Sequence, residues 1–408
     1  MYRRAITVLL VTLIAFPLFQ AIRTWGHVDV QTLATEYTNS QYCLTGYRIE
    51  HGTDTLTPEY ALYCGKGEAF SGNIDDPDLY TFAGWNYIRG ADPSSINFEV
   101  QPLVKYFFGL SELLFGTPLV LQWCMGVMLL ALVYLLARMV LPEPLSLLPS
   151  AALAWDGLFR EQVSASYVDL GETVLIFLFL YLLIRAVRSR NFAPAMVVMG
   201  GVALAKSFSI GIVLASVSFV WLYGTHRQLV WSYYRAAWVA VATYLVGYIG
   251  FFIHHGNLLD FFRLHLNVIR LYKSYVPEYP KGEVFRILFA DKWRQWYGTH
   301  ALIPAPGWSL LWPVSLMLTF GAPFIRKLRA EPEILLHLTW IFVYLAFISL
   351  RLVFPRYVLP VLPSFYIVAV AVLANFFHFA TVKTWRMKRQ TSPSGRAKAN
   401  GKSAGRSQ

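Results

Sequence analysis

Carboxylates cluster in a polar segment that follows the first apolar stretch of the chain. Asp75, Asp76 and Asp78 surround Pro77, and Glu99 follows in the same segment. Acidic residues are scarce, with 23 Asp and Glu against 35 Lys and Arg in 408 residues, so this cluster stands out. A positioned carboxylate can take a proton from a hydroxyl group, which makes the segment a candidate catalytic site. In the simpler interpretation, Asp75 and Asp76 begin and cap a helix.

Other ionisable side chains border or interrupt apolar stretches, where charged groups are costly and therefore often functional. They are Arg160, Glu161, Asp169, Lys206, Arg351 and Arg356. Simpler roles exist for some of them. Arg160 could pair with Glu161, Asp169 could cap its own helix, and Lys206 could extend to the lipid headgroups. Taken together, the carboxylates and cations predict a catalytic or transport cavity at one face of a membrane.

The composition is that of an integral membrane protein. Hydrophobic residues make up 56% of the chain and charged residues 14%, whereas soluble domains have about 25% charged residues. The fold class is therefore predicted to be all-α and polytopic, with about ten membrane-spanning helices. The first could instead be a signal peptide, although no small-residue cleavage site follows it. The predicted spans lie near residues 5–22, 116–137, 145–157, 169–187, 193–206, 208–223, 236–253, 308–325, 334–350 and 357–380.

Basic residues lie at alternate helix ends, which predicts that those ends are cytoplasmic in a cell or inner membrane. They include Arg138, Arg185, Arg188, Arg190, Arg227, Arg326, Lys327 and Arg329. An even number of spans then places both termini in the cytoplasm. We expect one membrane domain over residues 1–382 and a basic, disordered cytosolic tail over 383–408. Because the net charge of +12 is distributed in this way, no nucleic-acid partner is expected.

Two long segments, residues 23–115 and 254–307, are predicted to lie on the non-cytoplasmic side. Residues 79–90 suggest a short amphipathic helix in the headgroup plane, with its apolar face turned towards lipid. The apolar stretch 103–114 is too short to span the membrane and predicts a second interfacial element. The later segment mixes aromatic with basic residues, which fits a solvated loop and a surface for an anionic substrate equally well.

Neither a metal nor an organic cofactor is required by the sequence. His254, His255 and His265 lack the neighbouring Cys or carboxylate ligands that a metal site usually combines with them. The run from Asp75 to Asp78 could hold a divalent cation through its oxygens, so metal dependence stays open. No P-loop, Rossmann fingerprint or serine nucleophile elbow is present.

The order of several short motifs resembles membrane glycosyltransferases of the GT-C fold. The likeness is to the dolichyl-phosphate-mannose–protein mannosyltransferases and to the aminoarabinose transferases that modify lipid A. In those families one span precedes an acidic pair, here Asp75-Asp76, and an acidic residue precedes His-Pro-Pro-Leu-x-Lys, which here reads Glu-Val-Gln-Pro-Leu-Val-Lys over 99–105. Asp169, the small-residue helix that ends at Lys206, and the Arg-Tyr-Val-Leu-Pro-Val-Leu-Pro run from Arg356 match later motifs in order.

This resemblance implies an inverting, mannosyltransferase-like enzyme that moves a sugar from a polyprenyl-phosphate donor. The acceptor would be a protein, lipid or glycan on the non-cytoplasmic side. Asp75 would be the general base and Asp76 would orient the base or the acceptor. The cations that would bind the donor phosphate are Arg160, Lys206, Arg351 and Arg356. Residues expected to contact the acceptor or the loop are Glu99, Gln101, Lys105 and Asp169.

Two other functions fit parts of the pattern. A transporter or flippase of a lipid-linked sugar would also need polar groups within a membrane, but such folds commonly contain repeated halves, and no repeat is visible here. A polysaccharide ligase or polymerase would share the lipid-linked substrate. The carboxylate-bearing segment beside the first span favours an enzyme over a transporter.

We predict that Cys43 and Cys64 form a disulfide. Both lie in the first non-cytoplasmic segment, where conditions favour oxidation. A bridge that closes a loop of this size would contribute about 3 kcal/mol to the free energy of unfolding. Mass analysis after alkylation, with and without reductant, checks the pairing; three alkylated thiols before reduction would contradict it.

Overall fold

A computed structural model describes residues 2–22, 29–38, 74–275, 280–295 and 300–376. Cys43, Cys64 and the tail 383–408 lie outside the described residues, so the disulfide and the disordered tail stay predictions. Regular structure in the described part is almost entirely helical, as predicted for an all-α protein. The exceptions are two-residue strands, β1 (Trp293–Arg294) and β2 (Leu302–Ile303), which pair in antiparallel fashion.

Most helices are apolar, and short connections join them. Their bounds are α1 (Tyr2–Ile22), α2 (Val30–Thr38), α3 (Asp76–Ile88), α4 (Leu103–Phe115), α5 (Leu119–Val140), α6 (Leu148–Trp155), α7 (Gly157–Ser164), α8 (Val168–Ser189), α9 (Ala193–Ala205), α10 (Phe208–Thr225), α11 (Val230–Gly247), α12 (Ile249–His255), α13 (Leu258–Tyr275), α14 (Glu283–Ala290), α15 (Leu311–Gly321), α16 (Arg326–Arg329), α17 (Pro332–Ser349) and α18 (Leu362–Phe376). In the described ranges, four 3-10 turns supplement these helices, at 145–147, 227–229, 322–324 and 355–358.

The chain is a multi-pass membrane protein, but helix length does not support the predicted count of ten spans. Within the described residues, five helices are long and apolar enough to cross a membrane: α5, α8, α10, α17 and residues 5–22 of α1. A sixth span results if α11 and α12, bent by 58° at their junction, are taken together. The other predicted spans coincide with apolar helices of 10–17 residues, which are shorter than the roughly 20 residues a crossing requires.

Helix α8 lies at the centre of the bundle. Its side chains are buried on every face, including the continuous run from Val168 to Val174. A helix that is apolar on all sides is stable only when neighbours surround it, and α5 and α9 supply two of those neighbours. Asp169 and Glu172 belong to this helix, so its packing carries two carboxylates into the interior.

The two predicted interfacial elements form helices α3 and α4, and these pack against each other. Helix α3 begins three residues before the predicted amphipathic segment 79–90. Most of its side chains from Leu79 to Tyr87 are buried by protein, so the prediction of an apolar face turned towards lipid is wrong for much of this helix. Tertiary contacts, more than amphipathicity, therefore hold α3 in place.

The later predicted loop packs onto the connection between α17 and α18. The backbone N–H of Gly282 donates to the carbonyl of Ser349 at 2.7 Å, and the Trp293 indole N–H donates to the carbonyl of Val353 at 3.0 Å. The Trp293 ring also lies 5.7 Å from the ring of Phe354. These contacts fix the segment that carries Arg351 and Arg356.

Helices α3 and α4 cross where two glycines meet. A methyl group added at Gly84 would overlap the carbonyl oxygen of Lys105, and one added at Gly109 would overlap the carbonyl oxygen of Gly84. Because backbone is the obstacle on both sides, no side-chain rotation can relieve the overlap. The crossing therefore requires glycine at both positions.

We predict that Gly84→Ala lowers the free energy of unfolding by about 1–3 kcal/mol, the usual cost of overpacking. Thermal unfolding of purified protein in detergent measures the change. Gly224→Ala is the matched control, because this helical glycine has open space around its Cβ position and alanine is the better helix former. An unchanged melting temperature for Gly84→Ala would contradict the proposed close crossing.

Candidate active site

The acidic segment becomes the beginning of α3. Pro77 lies in the first turn, where its fixed φ suits a helix start. Asp75 occupies the N-cap position with an extended backbone, yet its side chain makes no capping hydrogen bond. The carboxylate of Asp75 is exposed instead. The prediction that Asp75 and Asp76 stand at a helix start is confirmed, whereas side-chain capping by Asp75 is not observed.

Asp76 forms an ion pair with Arg356, although 280 residues separate the two in sequence. Both side chains are largely enclosed, with exposed fractions of 27% for Asp76 and 16% for Arg356. The guanidinium carbon lies 5.2 Å from the ring centre of Tyr167 and 4.8 Å from that of Phe354. Aromatic faces attract a guanidinium and leave its edge free for anions.

A second carboxylate, Asp169, joins the same cluster. One of its oxygens pairs with the amine of Lys206, and its Oδ2 lies 3.6 Å from Nε of Arg356. The Lys206 amine also lies 3.6 Å from the centre of the Tyr357 ring. Asp169 is the second residue of α8 and does not cap it, because Tyr167 is at the N-cap. Lys206 engages protein groups instead of extending to the lipid headgroups.

These residues meet because the helices that carry them run antiparallel. Helices α8, α10 and α18 begin at this end of the bundle, whereas α9 and α17 end there. Helix α3 is attached to the same end by Ser166, whose hydroxyl donates to the carbonyl of Pro77 at 3.0 Å and lies 2.8 Å from the hydroxyl of Thr81. We call Asp76, Asp169, Lys206 and Arg356 the ion cluster.

Arg351 lies close to the ion cluster but contacts other groups. Its guanidinium donates to the hydroxyl of Ser209 at 3.1 Å and lies 4.9 Å from the centre of the Phe347 ring.

Arg160, by contrast, is exposed on α7 and has no ion pair with Glu161 or with any other described residue. The suggested pairing of Arg160 with Glu161 is therefore wrong. Burial raises the pKa of Glu161, and nearby Arg356 partly offsets this rise.

Lys105 is fully buried and stabilises the turn that precedes α4. Its amine donates to the carbonyls of Asn97 at 2.7 Å and Val100 at 2.6 Å, and the Tyr87 hydroxyl lies 3.3 Å away. Burial lowers the pKa of this amine to about 7, while Glu99 acts in the opposite direction. The turn 97–101, which we call the Gln101 turn, is thus built around a lysine.

Gln101 connects this turn to the ion cluster. Its backbone N–H donates to the carbonyl of Lys206 at 3.2 Å. Its side-chain oxygen accepts hydrogen bonds from the hydroxyls of Tyr244 and Tyr248. Glu99 lies on the same turn and accepts a hydrogen bond of 2.6 Å from the Asn97 amide. The four residues predicted to contact the acceptor or the loop therefore divide into two groups. Asp169 belongs to the ion cluster, Glu99 and Gln101 belong to the Gln101 turn, and Lys105 of α4 is bonded to that turn.

Sequence reasoning missed Glu172. It follows Asp169 by nearly one helical turn and is 2% exposed, and its Oε1 has no hydrogen-bond partner. A carboxylate within a predicted span was the available signal. It also missed the rings of Tyr167 and Tyr357 that flank the cations. Those contacts are between residues distant in sequence, and no local pattern indicates them.

No group of three potential metal ligands occurs among the described residues. The three histidines have other partners. His255 contacts the carboxylate of Asp92 at 2.6 Å, and His254 contacts the carbonyl of Gly90 at 2.9 Å. His265 lies 2.6 Å from the hydroxyl of Tyr244. Burial lowers the pKa of His265, and its contact with the Phe261 carbonyl opposes this change.

No protein-family model and no curated protein matches this chain. Solved structures do. The crystal structure of ArnT from Cupriavidus metallidurans bound to undecaprenyl phosphate is 16% identical, with a TM-score of 0.56, over 93% of this chain and 61% of ArnT. The apo ArnT structure is also 16% identical, with a TM-score of 0.54, over 77% of this chain and 57% of ArnT. The chain spans about three fifths of ArnT's length.

At this level of identity, the similarity shows the fold. ArnT is a lipid A aminoarabinose transferase with the GT-C fold, and this chain has the same fold. The resemblance inferred from the order of the motifs is thus confirmed for the architecture.

We predict that Lys105→Met destabilises the protein by about 1–3 kcal/mol, because the buried carbonyls of Asn97 and Val100 lose their donor. Thermal unfolding in detergent checks this result. Lys292→Met, which removes an exposed lysine, serves as the control and should leave the melting temperature unchanged. A Lys105→Met protein as stable as the wild type would contradict this structural role of Lys105.

Proposed function

We propose that the protein is a glycosyltransferase that moves a sugar from a polyprenyl-phosphate donor to an acceptor hydroxyl with inversion. The ion cluster is the observation that carries this proposal, because it joins the acidic helix α3 to two cations at one end of a GT-C membrane bundle. The ArnT structure with the same fold was determined with undecaprenyl phosphate bound, which is the leaving group such a reaction would produce.

The donor phosphate would bind Lys206, Arg351 and Arg356. These cations lie where α9, α10, α17 and α18 meet, so a lipid phosphate could reach them while its chain stays between apolar helices. Arg356 is the strongest candidate, since a guanidinium can engage two phosphate oxygens at once. Arg160 is exposed on α7, and we leave it out of the phosphate site.

In the proposed reaction, the acceptor hydroxyl oxygen attacks the anomeric carbon of the donor sugar. The bond from that carbon to the phosphate oxygen breaks, its electron pair stays on the oxygen, and polyprenyl phosphate leaves. The cations stabilise the negative charge that develops on the phosphate. The hydroxyl proton passes to Asp75, whose carboxylate is exposed and makes no capping hydrogen bond. Asp76 orients the acceptor beside it.

The charge distribution supports a site on the non-cytoplasmic side. Helix α8 begins at the ion cluster and ends with Arg185 and Arg188 at the opposite end of the bundle. The connection between α15 and α17, which carries Arg326 and Lys327, lies at that opposite end as well. Positively charged connections favour the cytoplasm, so the ion cluster would face away from it and both termini would be cytoplasmic.

The test uses purified protein in detergent with an undecaprenyl-phosphate-linked radiolabelled sugar and a membrane extract as the source of acceptors. An enzyme would release undecaprenyl phosphate and move the label to the acceptor without any gradient. A transporter or flippase would leave the donor intact. Intact donor with folded protein, across donors of several sugars, would overturn the proposal.

We predict that Asp75→Asn lowers the single-turnover rate of sugar transfer by about 10²–10⁴, the usual contribution of a general base. Asparagine is nearly isosteric and can still begin a helix, so the fold should persist. Asp78→Asn is the control on the same helix and should transfer sugar at the wild-type rate. Thermal unfolding is measured for both variants. A stable and active Asp75→Asn protein would refute the base assignment.

A further inference from the structure

Each cation of the ion cluster already has a carboxylate partner. Arg356 pairs with Asp76, and Lys206 pairs with Asp169. A phosphate that binds these cations must therefore compete with carboxylates of the protein itself. The competition has a consequence for the acidic helix, because Asp76 is adjacent to the proposed base Asp75.

We propose that the donor phosphate displaces Asp76 from Arg356, and that the freed carboxylate then binds the acceptor hydroxyl. In this exchange Arg356 turns from the carboxylate to the phosphate, and no covalent bond changes. The inference rests on the proposed function and adds an order to it: the donor binds before the acceptor is oriented.

Charge balance supports the exchange. The ion cluster contains two cations, Lys206 and Arg356, and two carboxylates, Asp76 and Asp169. A phosphate adds negative charge to this balanced group. Like charges repel strongly where burial limits screening by water, so one carboxylate has to move away.

Burial identifies Asp76 as the carboxylate that moves. The side chain of Asp169 is 1% exposed, Glu172 is 2% exposed, and both belong to the central helix α8. The Asp76 side chain is 27% exposed and lies in the first turn of α3. Arg356 can pair first with Asp76 and then with the phosphate, because its Nε makes no hydrogen bond and its side chain is 16% exposed. Asp169, 3.6 Å away, then holds the guanidinium near the site during the exchange.

The test compares binding of undecaprenyl phosphate to wild type and to Asp76→Asn in detergent. If Asp76 competes with the phosphate, the variant binds about tenfold more tightly, since one repelling charge is gone. Sugar transfer by the same variant should fall, because the acceptor is no longer oriented. A residue with only a structural role would lower both quantities. Asp78→Asn is the matched control and should bind as wild type does.

A double-mutant cycle assigns the effect to Arg356. In an Arg356→Ala background, Asp76→Asn should no longer tighten binding. If Asp76→Asn unfolds, Asp76→Ser, which also removes the charge and is tolerated at a helix start, gives the same comparison. Equal or weaker binding by a folded, uncharged variant at position 76 would overturn the exchange.

A separate binding comparison tests the proposed function independently of the exchange. Undecaprenol, the same lipid without phosphate, is the comparison ligand for the wild-type protein. Wild type that binds both lipids equally would contradict a phosphate site as such. Wild type that prefers the phosphate, together with an unaltered Asp76→Asn affinity, would leave the phosphate site intact and reject only the exchange.

Discussion

The ion cluster is the interaction on which the arrangement of this protein depends. Asp76, Asp169, Lys206 and Arg356 come from four separate parts of the chain, and their mutual attraction acts where little water screens it. Loss of Lys206 from its pair with Asp169 would cost about 3–5 kcal/mol, because the Asp169 side chain is 1% exposed and its charge would stay buried without compensation. The cluster therefore connects α3 to α8 through Arg356, which contacts both Asp76 and Asp169, and it sets the end of the bundle at which charged chemistry is possible.

Buried polar groups elsewhere hold the connections that the cluster needs. The carboxylate of Asp156 accepts two backbone hydrogen bonds at the start of α7, and it also accepts hydrogen bonds of 2.7 Å from Trp312 and from Tyr366. The amide of Gln122 reaches the carbonyls of residues 162, 165 and 167 at 2.6–3.0 Å. A polar group that is buried without hydrogen-bond partners is costly. Other conformations of these loops would break the hydrogen bonds of Asp156 or Gln122, so the two side chains stabilise the observed conformation. That rigidity positions Tyr167 beside Arg356.

Much of the architecture could be predicted from local pattern. Apolar stretches locate the helices, because an unpaired backbone cannot cross a lipid bilayer. Because charged residues are scarce, Asp76, Asp169, Lys206 and Arg356 can be identified as candidate site residues from the sequence alone. Details that depend on tertiary packing could not be predicted in this way. Arg160 does not pair with its neighbour Glu161, and Glu172, buried in the central helix α8, is not among the residues that sequence reasoning identified.

The amino-acid sequence is sufficient to establish that the chain is helical, lies in a membrane and contains a few charged residues at helix ends. These properties follow from the free energy of transferring side chains and backbone from water to lipid. That free energy depends on the composition of each segment taken alone. Which of these charges contact one another depends instead on how the helices pack. Asp76 and Arg356 are 280 residues apart, and they pair because Ser166 attaches α3 to the end of the bundle at which the connection between α17 and α18 carries Arg356. Packing is a property of the whole bundle, so no local pattern records it.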